Sequence, residues 1–167
     1  MVKLSPRSYI TGAFDVLYTP LTKYIYKQLS GNKSDWWEVY ILKAEKVLFY
    51  DHETHDPLPH TGDLKTLREH FDECHLLRLV LRSEIKKLFP EEIVSMFAGL
   101  NSIHNDWAHR GIRTTAQARR AFMLMIEISH TAGFTSAAGK LEDLCLSMLA
   151  ESSVTIEKNL PHTEKDA

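Results

Sequence analysis

Apolar residues recur along this chain at steps of three and four, while the strict alternation that marks a half-buried strand is scarce. The pattern predicts an all-α fold, a helical bundle of about five to seven helices. Ile10, Phe14, Leu17, Leu21, Tyr24, Ile25 and Leu29 share one face of a first helix, which Ser30-Gly31-Asn32 should stop and Pro20 should kink or divide in two. Ser34 is placed to cap a second helix that continues through about Phe49, with Trp36, Trp37, Tyr40, Ile41, Ala44, Val47 and Leu48 as a broad apolar surface. Leu64, Leu67, Phe71, Cys74, Leu77, Leu81, Ile85 and Leu88 trace one long stripe ending before Pro90, and Ser83 is where it could break. Beyond Pro90, Ile93, Met96, Phe97, Leu100, Ile103 and Trp107 form the stripe of a helix that Gly111 can end. Thr114 or Thr115 can cap the next one, buried through Ala118, Ala121, Phe122, Met125, Ile128 and Ala132 and closed by Gly133. A last amphipathic helix from about Ser136 uses Leu141, Leu144, Cys145, Met148 and Leu149.

The stretch YDHETHDPLPHTG, residues 50–62, interrupts this periodicity with Pro57 and Pro59 and reads as a loop. Its His52, His55, Asp56 and His60 are of the types that bind zinc or nickel, but their spacing matches no closed site, so neither a metal nor another cofactor is expected. The 167 residues suit a single domain, residues 1–153, followed by a polar tail at 154–167. The 20 Lys+Arg and 22 Asp+Glu leave a formal net charge of -2, so no overall field draws the protein to nucleic acid, and any such affinity must come from a local patch. Cys74 and Cys145 sit within apolar helical patterns rather than in a CxxC clip, as expected of reduced, buried thiols in a cytoplasmic protein. No run of about 18 apolar residues is present, so no contact with a membrane interior is expected.

The candidate chemistry lies in LNSIHNDWAHRG, residues 100–111. On an ideal helix a four-residue step advances about 40°, so Asn101, Asn105 and His109 line one polar stripe, while His104 falls on the apolar side with Leu100 and Trp107. The five-residue step from His104 to His109 turns roughly 140°, so the two rings need not meet within one chain.

The run His104-Asn105-Asp106-Trp107-Ala108-His109-Arg110-Gly111 resembles the signature of the HEPN superfamily. That signature is an arginine, a small polar residue, usually three further residues, and a histidine near a helix end. The Asn-x-Trp-Ala-His variant is most similar to the SWT-type HEPN branch. The likeness extends to WWEVYILKAEKVLF, FDECHLLRLVLRSEIKKLF and TTAQARRAFMLMIEIS, hence to most of residues 5–150. It implies a helical bundle, commonly a homodimer with the motif helices near the twofold axis, here through about residues 91–110. Active members are metal-independent ribonucleases in which a ribose 2′-hydroxyl attacks the adjacent phosphate. His109 matches the family histidine, Asn105 the polar residue, and His104 stands where the family has its arginine.

Arginine there is permanently charged and clamps a phosphate with two parallel donors, whereas a histidine is about half neutral near pH 6.5, so this departure should weaken phosphate binding. Arg110 or Arg113 could reach the phosphate instead, or His104 and His109 could share acid and base roles. Between Glu92 and Glu127 the one acid is Asp106, against Arg110, Arg113, Arg119 and Arg120; four positive charges against one negative leave a local +3, suited to an RNA backbone.

Two function classes follow. One is a toxin-like or defence-associated endoribonuclease, of the kind found in toxin–antitoxin or phage-defence systems, with RNA as substrate and an antitoxin or other protein as partner. Its His104, Asn105 and His109 should converge from two protomers on an arginine-lined groove. The other is a catalytically inactive HEPN module for dimerisation or protein interaction, with His104 buried against Leu100 and Trp107.

Overall fold

In the computed structural model, which describes residues 4–43, 53 and 63–158, the side chains of Arg110 and of residues 154–158 excepted, helix α1 spans Pro6–Ser30. It starts where the Ser5 hydroxyl accepts the Ser8 backbone N–H and where Pro6 fills a first-turn position whose N–H would have no helical partner. Ile10, Phe14, Leu17, Leu21, Ile25 and Leu29 are buried along it, as their spacing requires. Pro20 does not divide α1. A proline inside a helix costs about 3 kcal/mol through its missing N–H and its clash with the carbonyl one turn back. Here Leu17 and Leu21 on either side are fully buried, and the Thr22 hydroxyl donates to the Tyr18 carbonyl at 2.7 Å, so packing and a local hydrogen bond hold the helix through the proline.

Ser34 does not cap the following segment. The chain turns through Ser34 and Asp35 and then winds as a π turn over Trp37–Leu42, with Trp36 in the cap position and no side-chain cap. The expected continuation to Phe49 and the loop with His52, His55, Asp56 and His60 lie outside the described residues.

The stripe from Leu64 to Leu88 is not one helix. It is α2 (Leu64–His70), α3 (Glu73–Val80) and, after the break expected near Ser83, a 3-10 turn at Lys86–Leu88. The first break is local chemistry: Phe71 is extended, and the Asp72 carboxylate accepts the His75 backbone N–H at 2.8 Å, which starts a new helix. Helix α4 (Glu91–Asn105) follows Pro90 and runs into a second π turn, Asp106–Arg110.

Thr114 caps α5 (Thr115–Thr131) in a full capping box, its hydroxyl accepting from the Gln117 backbone while the Gln117 side chain accepts from Thr114. Gly133, at φ 80, ends α5 as expected. The last helix, α6 (Thr135–Lys158), extends into the segment expected to be a polar tail.

Helix α1 packs on α5 and α6 on one side and on α2 and α3 on the other, and α4 joins α3 to α5. Phe71, Phe97, Phe122, Ile10, Leu17 and Leu141 meet in a common core. The fold is all-α, with no strand among the described residues. No described helix is long and apolar enough to cross a membrane. Cys145 is buried and Cys74 half-buried, and both are free thiols.

Candidate functional site

The end of α4 is built by a change of winding. The Gly111 N–H donates to the Asp106 carbonyl at 2.6 Å, an i→i+5 bond, so the last turn is wider than the α-helix before it. Gly111 then leaves at φ 76, which side-chain-bearing residues rarely adopt. The wider turn makes the step from His104 to His109 smaller than the 140° of a regular helix. The charge of His109 reaches the His104 ring, but the surroundings of the two differ completely.

His104 is only 8% exposed. Its ring lies 5.1 Å from Phe14 of α1 and 5.2 Å from Trp107, both edge-on, and Phe14 and Trp107 are themselves 5.4 Å apart. Three rings thus close on one another, an arrangement aromatic quadrupoles favour. The His104 Nδ1 is buried in this cluster without a hydrogen-bond partner, as is the Trp107 Nε1. Burial holds the imidazole below its ordinary value; the charges of His109 and Arg78 push the same way and Asp72 pushes back. That Asp72 carboxyl lies below its own usual range: burial acts to raise it, but the backbone N–H and ring of His75, each 2.8 Å away, outweigh that.

His109 and Asn105 are exposed. With Ser102 and Asp106 they line an open pocket of 540 Å³ on the solvent side of α4. The expected polar stripe of Asn105 and His109 is therefore one wall of a real concavity, while Asn101, one turn earlier, is half-buried with its Oδ1 unpartnered. His104, taken as a candidate catalytic group, does not join this pocket: its place on the apolar side of α4 turned it onto Phe14.

The arginines divide. Arg120 borders a 330 Å³ cavity with Asp106, Ile103 and Gly111, adjoining the His109 pocket through Asp106. Arg113 is exposed just past Gly111, its backbone N–H held by Gln117 at 3.0 Å. Arg119 is exposed on α5, and its charge pulls against the burial that raises the Cys145 thiol of α6. Arg110 closes the π turn.

One cation at this end was missed in the sequence. The Arg7 guanidinium of α1 lies 5.9 Å over the Trp107 ring, a cation–π contact that brings a positive charge to the edge of the motif. The trace it left is its spacing: Arg7 lies two helical turns before Phe14 and so shares the face that meets His104. Which element that face meets is a tertiary fact.

Among the described residues no three of His, Cys, Asp and Glu group so as to hold a metal ion. Compared with protein-family models, with curated proteins and with solved structures, the chain finds no match in any of the three.

Proposed function

We propose that this chain is a HEPN-type protein that cuts RNA without a metal, related to toxin-like or defence-associated endoribonucleases, acting in the cytoplasm as a homodimer and restrained by an antitoxin or other protein partner. The observation that carries the reading is the pocket at the end of α4, where His109 and Asn105 stand exposed together on a π turn, a departure from regular winding that often marks functional sites. His109 takes the proton of a ribose 2′-hydroxyl as its oxygen attacks the adjacent phosphorus. The same ring returns that proton to the departing 5′-oxygen, leaving a 2′,3′-cyclic phosphate and a 5′-hydroxyl. Asn105, one turn before His109, orients the ring or the phosphate, and Arg113, Arg120, Arg110 and Arg7 supply positive charge for the backbone on either side. His104 serves packing rather than proton transfer, because its imidazole is enclosed by rings and burial pushes its pKa below the ordinary value.

The test is cleavage of an end-labelled structured RNA in EDTA by the chain as given and by His109→Ala. Cleavage that His109→Ala abolishes is the expected result; no cleavage by the chain as given overturns the enzyme reading. A second reading is then the one to keep, a catalytically inactive HEPN module for dimerisation or protein interaction. The burial of His104 against Trp107 is the observation that favours it.

A further inference from the structure

A second concavity opens beside the His109 pocket, walled by three segments: the end of α4 with its π turn, the link through Gly111 and Ile112, and the start of α5. Its 330 Å³ is at the small end of ligand sites, the room of one planar base rather than of a stacked pair. Ile103, Ile112 and Ala121 give it an apolar floor, with Ile112 and Ala121 buried. Asp106, Gln117 and Arg120 stand exposed at its rim.

The rim has donors and an acceptor in set places. The Gln117 side-chain oxygen accepts the backbone N–H of Arg113 at 3.0 Å and that of Thr114 at 3.1 Å, as part of the cap of α5. Those two donors decide which end of the amide is which, so the Nε2 group with its two hydrogens is the end left for the cavity. Arg120, the next turn along α5, adds further donors and is in no ion pair among the described residues. Asp106 brings a carboxylate, which when ionised only accepts. With about four lone-pair sites it can take two parallel N–H groups of a ligand beside any contact of its own.

Of the four RNA bases, only guanine sets two N–H donors side by side, at N1 and N2, and also two acceptors side by side, O6 and N7. Adenine and cytosine offer one amino group, and uracil one N–H between two carbonyls. A carboxylate beside a pair of strong donors, over an apolar floor, is therefore the complement of guanine, whose edges single-stranded RNA leaves open to side chains.

We infer that the cavity between α4 and α5 is a guanine site, in which Asp106 accepts from N1–H and N2–H while Arg120 and the Gln117 amide donate to O6 and N7. Asp106 borders both this cavity and the His109 pocket and lies three residues before His109. A guanine held there brings its own ribose to His109, so the chain cuts on the 3′ side of guanosine. The guanosine 2′-oxygen bonds to phosphorus as the 5′-oxygen of the next nucleotide leaves, with His109 carrying the proton from one to the other. This site rests on the proposed RNA cleavage for the place of the cut and not for the binding of the base. It gives Arg120 a base edge to hold besides its part in attracting the RNA backbone.

The test has two arms. The first is calorimetric titration of the chain with the 3′-monophosphates of guanosine, adenosine, cytidine and uridine, which have no following nucleotide and so cannot be cut. The guanosine compound should bind about tenfold or more tightly than the other three, and Asp106→Asn should remove most of that preference. Arg120→Leu, at an exposed position, should reduce it by about fivefold, with circular dichroism confirming that both variants keep their helices. The second arm maps the ends of a random-sequence RNA cut by the unaltered chain, and guanosine should stand on the 5′ side of the cuts. A guanine preference in binding with no cleavage keeps the base site and overturns the proposed reaction. Equal binding or no binding of the four nucleotides, or a preference that neither substitution moves, overturns the base site whether or not RNA is cut.

Discussion

Two histidines five residues apart on one helix end live in opposite environments. His104 is enclosed by Phe14 and Trp107, with a buried ring nitrogen that no donor or acceptor meets. His109 stands in an open pocket with Ser102, Asn105 and Asp106. The same side chain is buried packing in one place and open to solvent in the other, and what decides is which side of α4 it occupies. A motif read as a string treats the two as equivalent candidates; burial separates them. An imidazole that is to pass protons needs access to the proton it moves, and the His104 ring, wedged between two others, has its pKa pushed down by burial.

The contrast can be tested from both sides. The largest effect falls on chemistry: His109→Ala should slow RNA cleavage by about 10²–10⁴-fold, the usual worth of a positioned acid or base, while the urea midpoint stays nearly unchanged. The next falls on stability: His104→Ala should cost about 2–4 kcal/mol by urea unfolding, through the cavity it leaves between the Phe14 and Trp107 rings. His104→Phe keeps the volume and removes the unpartnered nitrogen, so it should be neutral or stabilising by up to about 1 kcal/mol. Equal losses for the two substitutions would mean that the imidazole nitrogen, not the ring, matters at this position.

A smaller effect appears with pH. The folded chain holds His104 below the imidazole's ordinary value of about 6.5, so the unfolded state binds the proton more readily. Its contribution to stability is therefore complete above that pH and falls as the pH drops through it toward the folded value. Thermal melts should show the unaltered chain losing ground to His104→Phe as the pH falls from neutral to about 5, with the gap closing above pH 7. The smallest effect belongs to Arg7. Arg7→Ala should weaken binding of a 2′-O-methyl RNA oligomer by about two- to fivefold and lower the slope of log affinity against log salt by about 0.7, one phosphate contact on a single strand. An unchanged slope would place Arg7 outside the RNA path.

Much of this was legible in the order of residues. The apolar stripe of α1, the Thr114 cap with Gln117 three residues on, and the glycines at 111 and 133 each follow from local rules, and they set the helices where they stand. So did the side of α4 on which His104 lies, since Leu100 and Trp107 mark it. The misreadings have physical causes. The stripe from Leu64 to Leu88 hides the break at Phe71 because periodicity does not see the Asp72 cap; the polar group Asp72-Glu73 was the signal available. Pro20 argued for a break because propensity counts the lost hydrogen bond and not the buried leucines beside it. The π turn at Asp106–Arg110 had no signature, being a choice of hydrogen-bond partner rather than of residue type. Arg7 and Phe14 could not be joined to the motif from sequence, because Phe14 lies 90 positions before His104 and Arg7 lies 100 before Trp107 along the chain.

The account turns on the claim that His109 and not His104 is the chemical histidine. Its most direct test is single-turnover cleavage of a labelled RNA in EDTA by His104→Phe, whose side chain can hold no proton. The account predicts a rate within about threefold of the unaltered chain. A loss of a hundredfold or more, with the helical fold intact, would contradict it and return His104 to the catalytic site.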